Sequence, residues 1–183
     1  MNQASVFCWV SLGSNHDRHQ QISRALDALH EAFGTLIISQ VYKTQPVGIK
    51  VARCAAFYNL VAGFFTHLQP GELNAFLKSV ESQQKYLLPE DRSIYVRALD
   101  LDLVTWGDAC GELDGLCLPY KDLLKHDFVL RPLAELSPEQ RVPGYNLSYQ
   151  QLWQIHAHPE QQMRAVDFTW QGQKISVSDP LQD

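Results

Sequence analysis

The stretch that decides the fold is 97-RALDLDLVTWGD-108. Leu99, Leu101 and Leu103 occupy every second position, with Asp100 and Asp102 between them. On a strand, residues two apart share a face. The leucines therefore form a core-facing row and the aspartates project from the opposite face, about 7 Å apart by strand rise. Aspartate is depleted in strands, and two like charges on one face repel. A carboxylate pair so placed suits Mg²⁺, a hard cation that takes oxygen ligands and is commonly shared with substrate phosphates. The competing reading is an amphipathic strand with a wet face, and a D-x-D spacing alone leaves both open. Arg97 precedes the regular strand, where its guanidinium can turn toward the aspartates and hold a phosphate oxygen. Seen alone, it reads equally as a surface arginine.

Working outward, residues 5–12 read as a strand that GSN at 13–15 breaks. Ile22, Leu26, Leu29 and Phe33 follow at helical spacing, and Gly34 ends that helix. Residues 35–43 read as a second strand, TQPVG at 44–48 as a loop and 57–65 as a third strand. Pro70 opens a second helix, with Leu73, Phe76, Leu77 and Val80 on its buried face. Residues 86–96 show no period and read as a loop, followed by a fourth strand at 98–106. Further on lie a short strand near 114–118, a short helix at 121–126 and a buried run at 128–136. Ser148 and Gln151 form a capping box for a helix at 148–157. Two strand-like pieces, AVDFTW and KISVS, flank a QGQ turn. The order β-α-β-β-α-β predicts an α+β, ferredoxin-like fold: an antiparallel sheet with helices on one face and C-terminal additions. The other face is left for covering loops and ligands.

The chain has 183 residues, which fits one domain over 1–183, with a core at about 5–157 and a C-terminal extension at about 158–183. Its net charge of −5 does not mark a polyanion-binding surface, so nucleic acid is not expected as a partner. Cys8, Cys54, Cys110 and Cys117 form no CxxC and read as small buried hydrophobes of a reducing cytoplasm. The first residues lack the basic and apolar regions of a signal peptide, and no apolar run is long enough to span a membrane. Oligomeric state is not encoded in any of these features. In TQPVG with Asn59, a loop and a strand-end asparagine can read a planar heterocycle through donors and acceptors, or be a plain turn.

Five pieces in this order resemble the 6-hydroxymethyl-7,8-dihydropterin pyrophosphokinase family. They are Gly13-Ser14-Asn15 after the first strand, YKTQPVG at 42–48, Phe57-Tyr58-Asn59, RALDLD at 97–102 followed by Gly107, and FVLRPL at 128–133. The resemblance spans roughly residues 5–155. It implies a ferredoxin-like fold and transfer of a pyrophosphoryl group from ATP to the pterin's hydroxymethyl oxygen, giving AMP, in folate biosynthesis. It further implies that Asp100 and Asp102 hold two Mg²⁺ ions and that Arg97 contacts ATP phosphate. By the same resemblance Thr44, Pro46, Val47, Asn59 and Phe128 contact the pterin. Glu81 and the positions of Tyr120 and His126 face the nucleotide.

The chain departs from the family pattern mainly on the phosphate side. ESQQKY at 81–86 has Tyr86 where the family has an arginine. IYVR at 94–97 lacks the Gly-Pro before the signature arginine, although Tyr95 retains a ring. In PYKDLLKHDF at 119–128, Tyr120 replaces a histidine and His126 an arginine. Lys85, Arg92, Lys121, Lys125 and His126 are the nearby groups able to compensate, although a lysine does not reproduce an arginine's bidentate fork. The alternative to an active pyrophosphokinase is therefore a divergent pterin-binding paralogue with weak or no turnover.

Overall fold

The computed structural model describes residues 4–47, 53–83 and 94–180. Its centre is an antiparallel sheet in which an inner strand, β1 (Val6–Ser14), takes in the first two residues of the GSN read as a break. After α1 (Arg18–Phe33) come β2 (Ile37–Ile38) and β3 (Tyr42–Thr44) in place of the single strand expected at 35–43. Ser39 causes the interruption: its hydroxyl accepts the Val61 N–H at 3.0 Å and donates to the Gln40 carbonyl, so a side chain replaces a rung of the ladder. The chain continues through β4 (Arg53–Cys54), β5 (Phe57–Thr66), α2 (Pro70–Ser82), β6 (Ile94–Tyr95) and β7 (Asp100–Trp106). A hairpin follows, β8 (Gly111–Leu113) and β9 (Leu116–Leu118), then α3 (Asp127–Leu136) and α4 (Tyr149–His156). The chain closes with β10 (Met163–Ala165), β11 (Phe168–Trp170) and β12 (Gln173–Ser176). The main sheet has the order β10-β3-β5-β1-β7, with β2 also paired to β5. This is the ferredoxin-like arrangement with an added outer strand: β10, from the C-terminal extension, pairs with β3.

Two further expectations need correcting. Residues 119–125 form successive turns rather than a helix, held by i to i+3 bonds such as Leu123 N–H to Tyr120 O at 2.9 Å. The run 128–136 is largely buried, as expected, and lies in α3, which carries Pro132 in its interior. Of the four free cysteines only Cys8 is buried, since Cys110 and Cys117 lie on or beside the exposed hairpin. The expectations for Gly48, Lys85, Tyr86, Arg92 and the ring of Tyr95 lie outside the described residues.

Strand alternation divides the core into two layers. Val10 and Leu12 of β1, Leu60 and Ala62 of β5, and Leu99, Leu101 and Leu103 on and beside β7 pack against α1 and α2. On the other face Trp9, Val61 and Val104 pack against Val129, Leu130 and Leu133 of α3 and Leu152 of α4. The second face is thus covered over half its length, and only the far end of each central strand is left for a site. Leu101, fully buried between the two aspartates, fixes which way they point. Leu101→Ala is expected to cost about 2–5 kcal/mol of stability, the range for truncating a buried leucine, measurable by urea denaturation.

Candidate active site at the open end of the sheet

On the α3 face, β1, β5 and β7 each change character at the same level. In β1, Trp9 gives way to Ser11 and Gly13. In β5, Val61 gives way to Asn59 and Phe57. In β7, Val104 gives way to Asp102 and Asp100. Register aligns these ends: Gly13 pairs with Asn59 on one side and Asp100 on the other, and Ser11 pairs with Asp102. Asn59 and Asp100 therefore stand two strand spacings apart, about 10 Å, across a floor made of glycine. A Cβ at Gly13 would lie 2.7 Å from Asn59 Oδ1, so this floor admits no side chain. Gly13→Ala is expected to push the Asn59 amide out of place and weaken binding of a heterocycle there by about tenfold, the equivalent of one displaced hydrogen bond. A fluorescence titration with the pterin measures the effect.

A cavity of about 210 Å³ stands on this floor. Thr44, Val47, Asn59 and Phe128 line it together with Arg97, Asp100, Asp102, Tyr120 and His126. Pro46 lines an adjoining cavity of about 240 Å³, which also touches Thr44, Val47 and Phe128. Sequence reasoning missed Phe57 as a wall residue, although it belongs to the quoted Phe57-Tyr58-Asn59 motif. Asn59 is buried, and its Nδ2 donates to Thr44 Oγ1 at 2.7 Å, which fixes the amide's orientation. Phe128 stacks on the His126 ring at 4.8 Å between centroids. His126 Nδ1 is buried with no hydrogen-bond partner, and burial lowers the affinity of the ring for a proton. The segment holding Tyr120 is tied to β7 through Tyr120 N–H to Val104 O at 2.8 Å. Burial, then the charge of Asp102, pushes the Tyr120 hydroxyl up to about 12, so it remains a donor.

The carboxylate end is built by groups from three segments. Arg97 Nη1 lies 3.5 Å from Asp100 Oδ1, as its position before the strand suggested. Asn15 holds the arginine's backbone twice: its Oδ1 accepts the Arg97 N–H at 2.6 Å and its N–H donates to the Arg97 carbonyl at 3.0 Å. The GSN motif is thus a brace for Arg97 more than a turn. Glu81 lies on the outer edge of β7, where Oε1 accepts the Leu101 N–H at 2.7 Å. Burial and then the charge of Asp102 raise the proton affinity of Asp100 above that of an ordinary carboxylate. A cation between the two aspartates would relieve that repulsion. Among the described residues no group of three or more His, Cys, Asp or Glu side chains is arranged to hold a metal alone. Two half-buried carboxylates instead suit a hard cation that completes its shell with water and ligand oxygens, as Mg²⁺ does.

A larger groove, about 780 Å³, lies along β3 and β10, bordered by Lys43, Arg131, Trp153 and Arg164. It contains neither aspartate nor Asn59, so the smaller cavity is the one equipped for chemistry. The smaller cavity has amide and hydroxyl groups at one end and paired carboxylates with a guanidinium at the other. That combination can hold a polar heterocycle beside a metal-chelated oxyanion.

The sequence model of a family described as 7,8-dihydro-6-hydroxymethylpterin-pyrophosphokinase (HPPK) matches residues 9–138. The 2-amino-4-hydroxy-6-hydroxymethyldihydropteridine pyrophosphokinase of Pseudomonas aeruginosa is 35% identical over 138 residues, 74% of this chain and 83% of that protein. The protein of the same name from Haemophilus influenzae is 27% identical over 156 residues, 84% of this chain and 95% of its own length. The crystal structure of wild-type Plasmodium falciparum HPPK-DHPS with pteroate has the same fold, with a TM-score of 0.66 at 14% identity over 85% of this chain. The match takes in 43% of that longer protein, so this chain spans less than half of it.

Proposed function

This chain belongs to the 7,8-dihydro-6-hydroxymethylpterin-pyrophosphokinase family, and from that premise we propose how its cavity performs the family's reaction. The protein is a pyrophosphokinase of folate biosynthesis: it transfers a pyrophosphoryl group from ATP to the hydroxymethyl group of 6-hydroxymethyl-7,8-dihydropterin. The hydroxymethyl oxygen bonds to the β-phosphorus and gives up its proton to water, the bond between that phosphorus and the α,β-bridging oxygen breaks, and AMP leaves with that oxygen. Asn59 and Thr44 read the pterin's polar edge, while Phe57 and Phe128 enclose its ring. Pro46 and Val47 close the loop side. Asp100 and Asp102 would hold two Mg²⁺ ions, which when bound would neutralise the charge of the triphosphate. Arg97, braced by Asn15, holds a phosphate oxygen and directs the β-phosphorus toward the hydroxymethyl group. Tyr120 donates a hydrogen bond on the nucleotide side, and His126 closes the cavity against Phe128. Glu81 holds β7 in place and faces the nucleotide from the strand edge.

The observation that supports this reading is the row Asn59–Gly13–Asp100 across three neighbouring strands, with the residue assigned to the heterocycle and the residue assigned to the phosphates on either side of Gly13. We take 1–183 as one domain and the cytoplasm as its location. No nucleic acid or membrane partner enters the mechanism. Among the described residues no helix is long and apolar enough to cross a membrane. A pterin-binding paralogue without turnover is the less favoured alternative. Calorimetry separates the two: the active reading expects binding of both the pterin and a Mg²⁺-complexed non-transferable ATP analogue. Binding of the pterin with no binding of the analogue supports the inactive paralogue.

A further inference from the structure

Lys78 belongs to none of the sequence motifs, yet it reaches the carboxylate pair from α2. Its Nζ donates to Glu81 Oε1 at 2.7 Å and to the Leu101 carbonyl at 2.8 Å, and stands 3.4 Å from Asp102 Oδ1. The reason lies in the topology. Among the described residues β7 is the last strand on its side of the sheet, and no neighbouring strand there satisfies the backbone of Leu101. Glu81 takes its N–H and Lys78 its C=O, so two side chains of α2 act as the missing strand. The ammonium is thus fixed by two short bonds, and its contact with Asp102 is the longest of the three. A cation arriving at Asp102 has no means of expelling Lys78 without exposing the Leu101 carbonyl and freeing Glu81.

The charges complete the picture. Asp100, Asp102 and Glu81 are faced by Arg97 and Lys78, so three carboxylates meet two resident cations. The remaining pull on a free divalent ion is weak, and the nucleotide's own phosphates would supply what is missing. We propose that Lys78 is a built-in cation at Asp102 that keeps divalent metal weakly bound until a triphosphate arrives. It is a positioning residue for the metal and the strand, and the inference rests on Asp100 and Asp102 being the metal ligands.

The test is Mn²⁺ binding to the nucleotide-free protein, followed by the electron paramagnetic resonance signal of free Mn²⁺. Lys78→Gln keeps a donor for the Leu101 carbonyl and removes the charge. It is expected to bind Mn²⁺ about tenfold more tightly than the wild type, because a nearby like charge is gone. Lys78→Arg, which keeps the charge, is expected to bind as the wild type does. Lys78→Met serves if Lys78→Gln is recovered unfolded by circular dichroism. Folded Lys78→Gln or Lys78→Met with Mn²⁺ affinity no higher than the wild type overturns the inference. Asp102→Asn, titrated alongside, separates the two claims. Unchanged Mn²⁺ affinity in that variant would sink the metal reading itself, whereas a loss there with neutral Lys78 variants would sink only the role of Lys78.

Discussion

Asp102→Asn is expected to lower the rate of AMP formation by about 10³-fold or more, with the protein still folded and still binding the pterin. The magnitude follows from the several kcal/mol that a bound metal contributes to charge stabilisation in phosphoryl transfer, each 1.4 kcal/mol being a factor of ten. The substitution keeps the shape of the side chain and removes the charge that would hold the ion. It also leaves Lys78 its two short bonds, so the edge of β7 is retained. Asp100→Asn is expected to have a similar effect, with one added consequence for pH. Asp100 holds a proton more strongly than an ordinary carboxylate, because of burial and the nearby Asp102 charge. Protons and metal compete for the same oxygens, so metal-dependent activity falls as pH drops through this raised value. Raising Mg²⁺ should recover activity on the acid side. Full activity in Asp102→Asn would remove the aspartates from the mechanism.

Asn59→Leu is expected to weaken pterin binding by about 10²-fold while leaving the affinity for MgATP within about twofold. Asn59 is buried, and its amide is oriented by the bond to Thr44 Oγ1. Leucine of similar volume leaves two buried polar groups, the Thr44 hydroxyl and the edge of the bound pterin, without partners. Each such loss costs about 1–3 kcal/mol. The effect should appear in KM for the pterin and only weakly in KM for ATP, since Asp100 lies on the far side of Gly13. Equal losses for both substrates would mean that Asn59 supports the strand rather than the ligand.

The sheet was legible because alternation on its central strands is clean. Leu99, Leu101 and Leu103 turn one way and the aspartates the other, and no tertiary contact overrides that period. The capping box at Ser148 and Gln151 was legible for the same local reason, and both of its reciprocal bonds are present. What could not be read from local pattern were effects of neighbours. Pro132 masks α3 as a helix, although Val129, Leu130, Leu133 and Ala134 keep helical spacing and are buried. The break at Ser39 depends on a hydroxyl meeting Val61, more than twenty residues away. The cover that α3 and α4 place on half of the second face depends on three strands agreeing in register, which no single stretch encodes.

In the site, the residues that line the cavity carry motif signals, and no such signal marks the role of those that hold them in place. Asn15 reads in sequence as part of the break after the first strand, yet its side chain fixes the Arg97 backbone across 82 positions of sequence. Phe57 was inside a recognised motif without being assigned a role. Lys78 had no motif at all, and only the edge position of β7 gives it one. Nearness in sequence alone singles out Lys85, Arg92, Lys121, Lys125 and His126 at the altered phosphate-side stretches. Lys78 lies more than twenty residues from Asp102 in sequence and 3.4 Å from it in space.

The most direct measurement is product formation from MgATP and 6-hydroxymethyl-7,8-dihydropterin with pure protein, resolved by chromatography into AMP, ADP and pterin diphosphate. AMP and pterin diphosphate appearing in equal amounts, with multiple turnovers per protein and dependence on added Mg²⁺, is the predicted result. No AMP above the protein-free control, or ADP in its place, would contradict it.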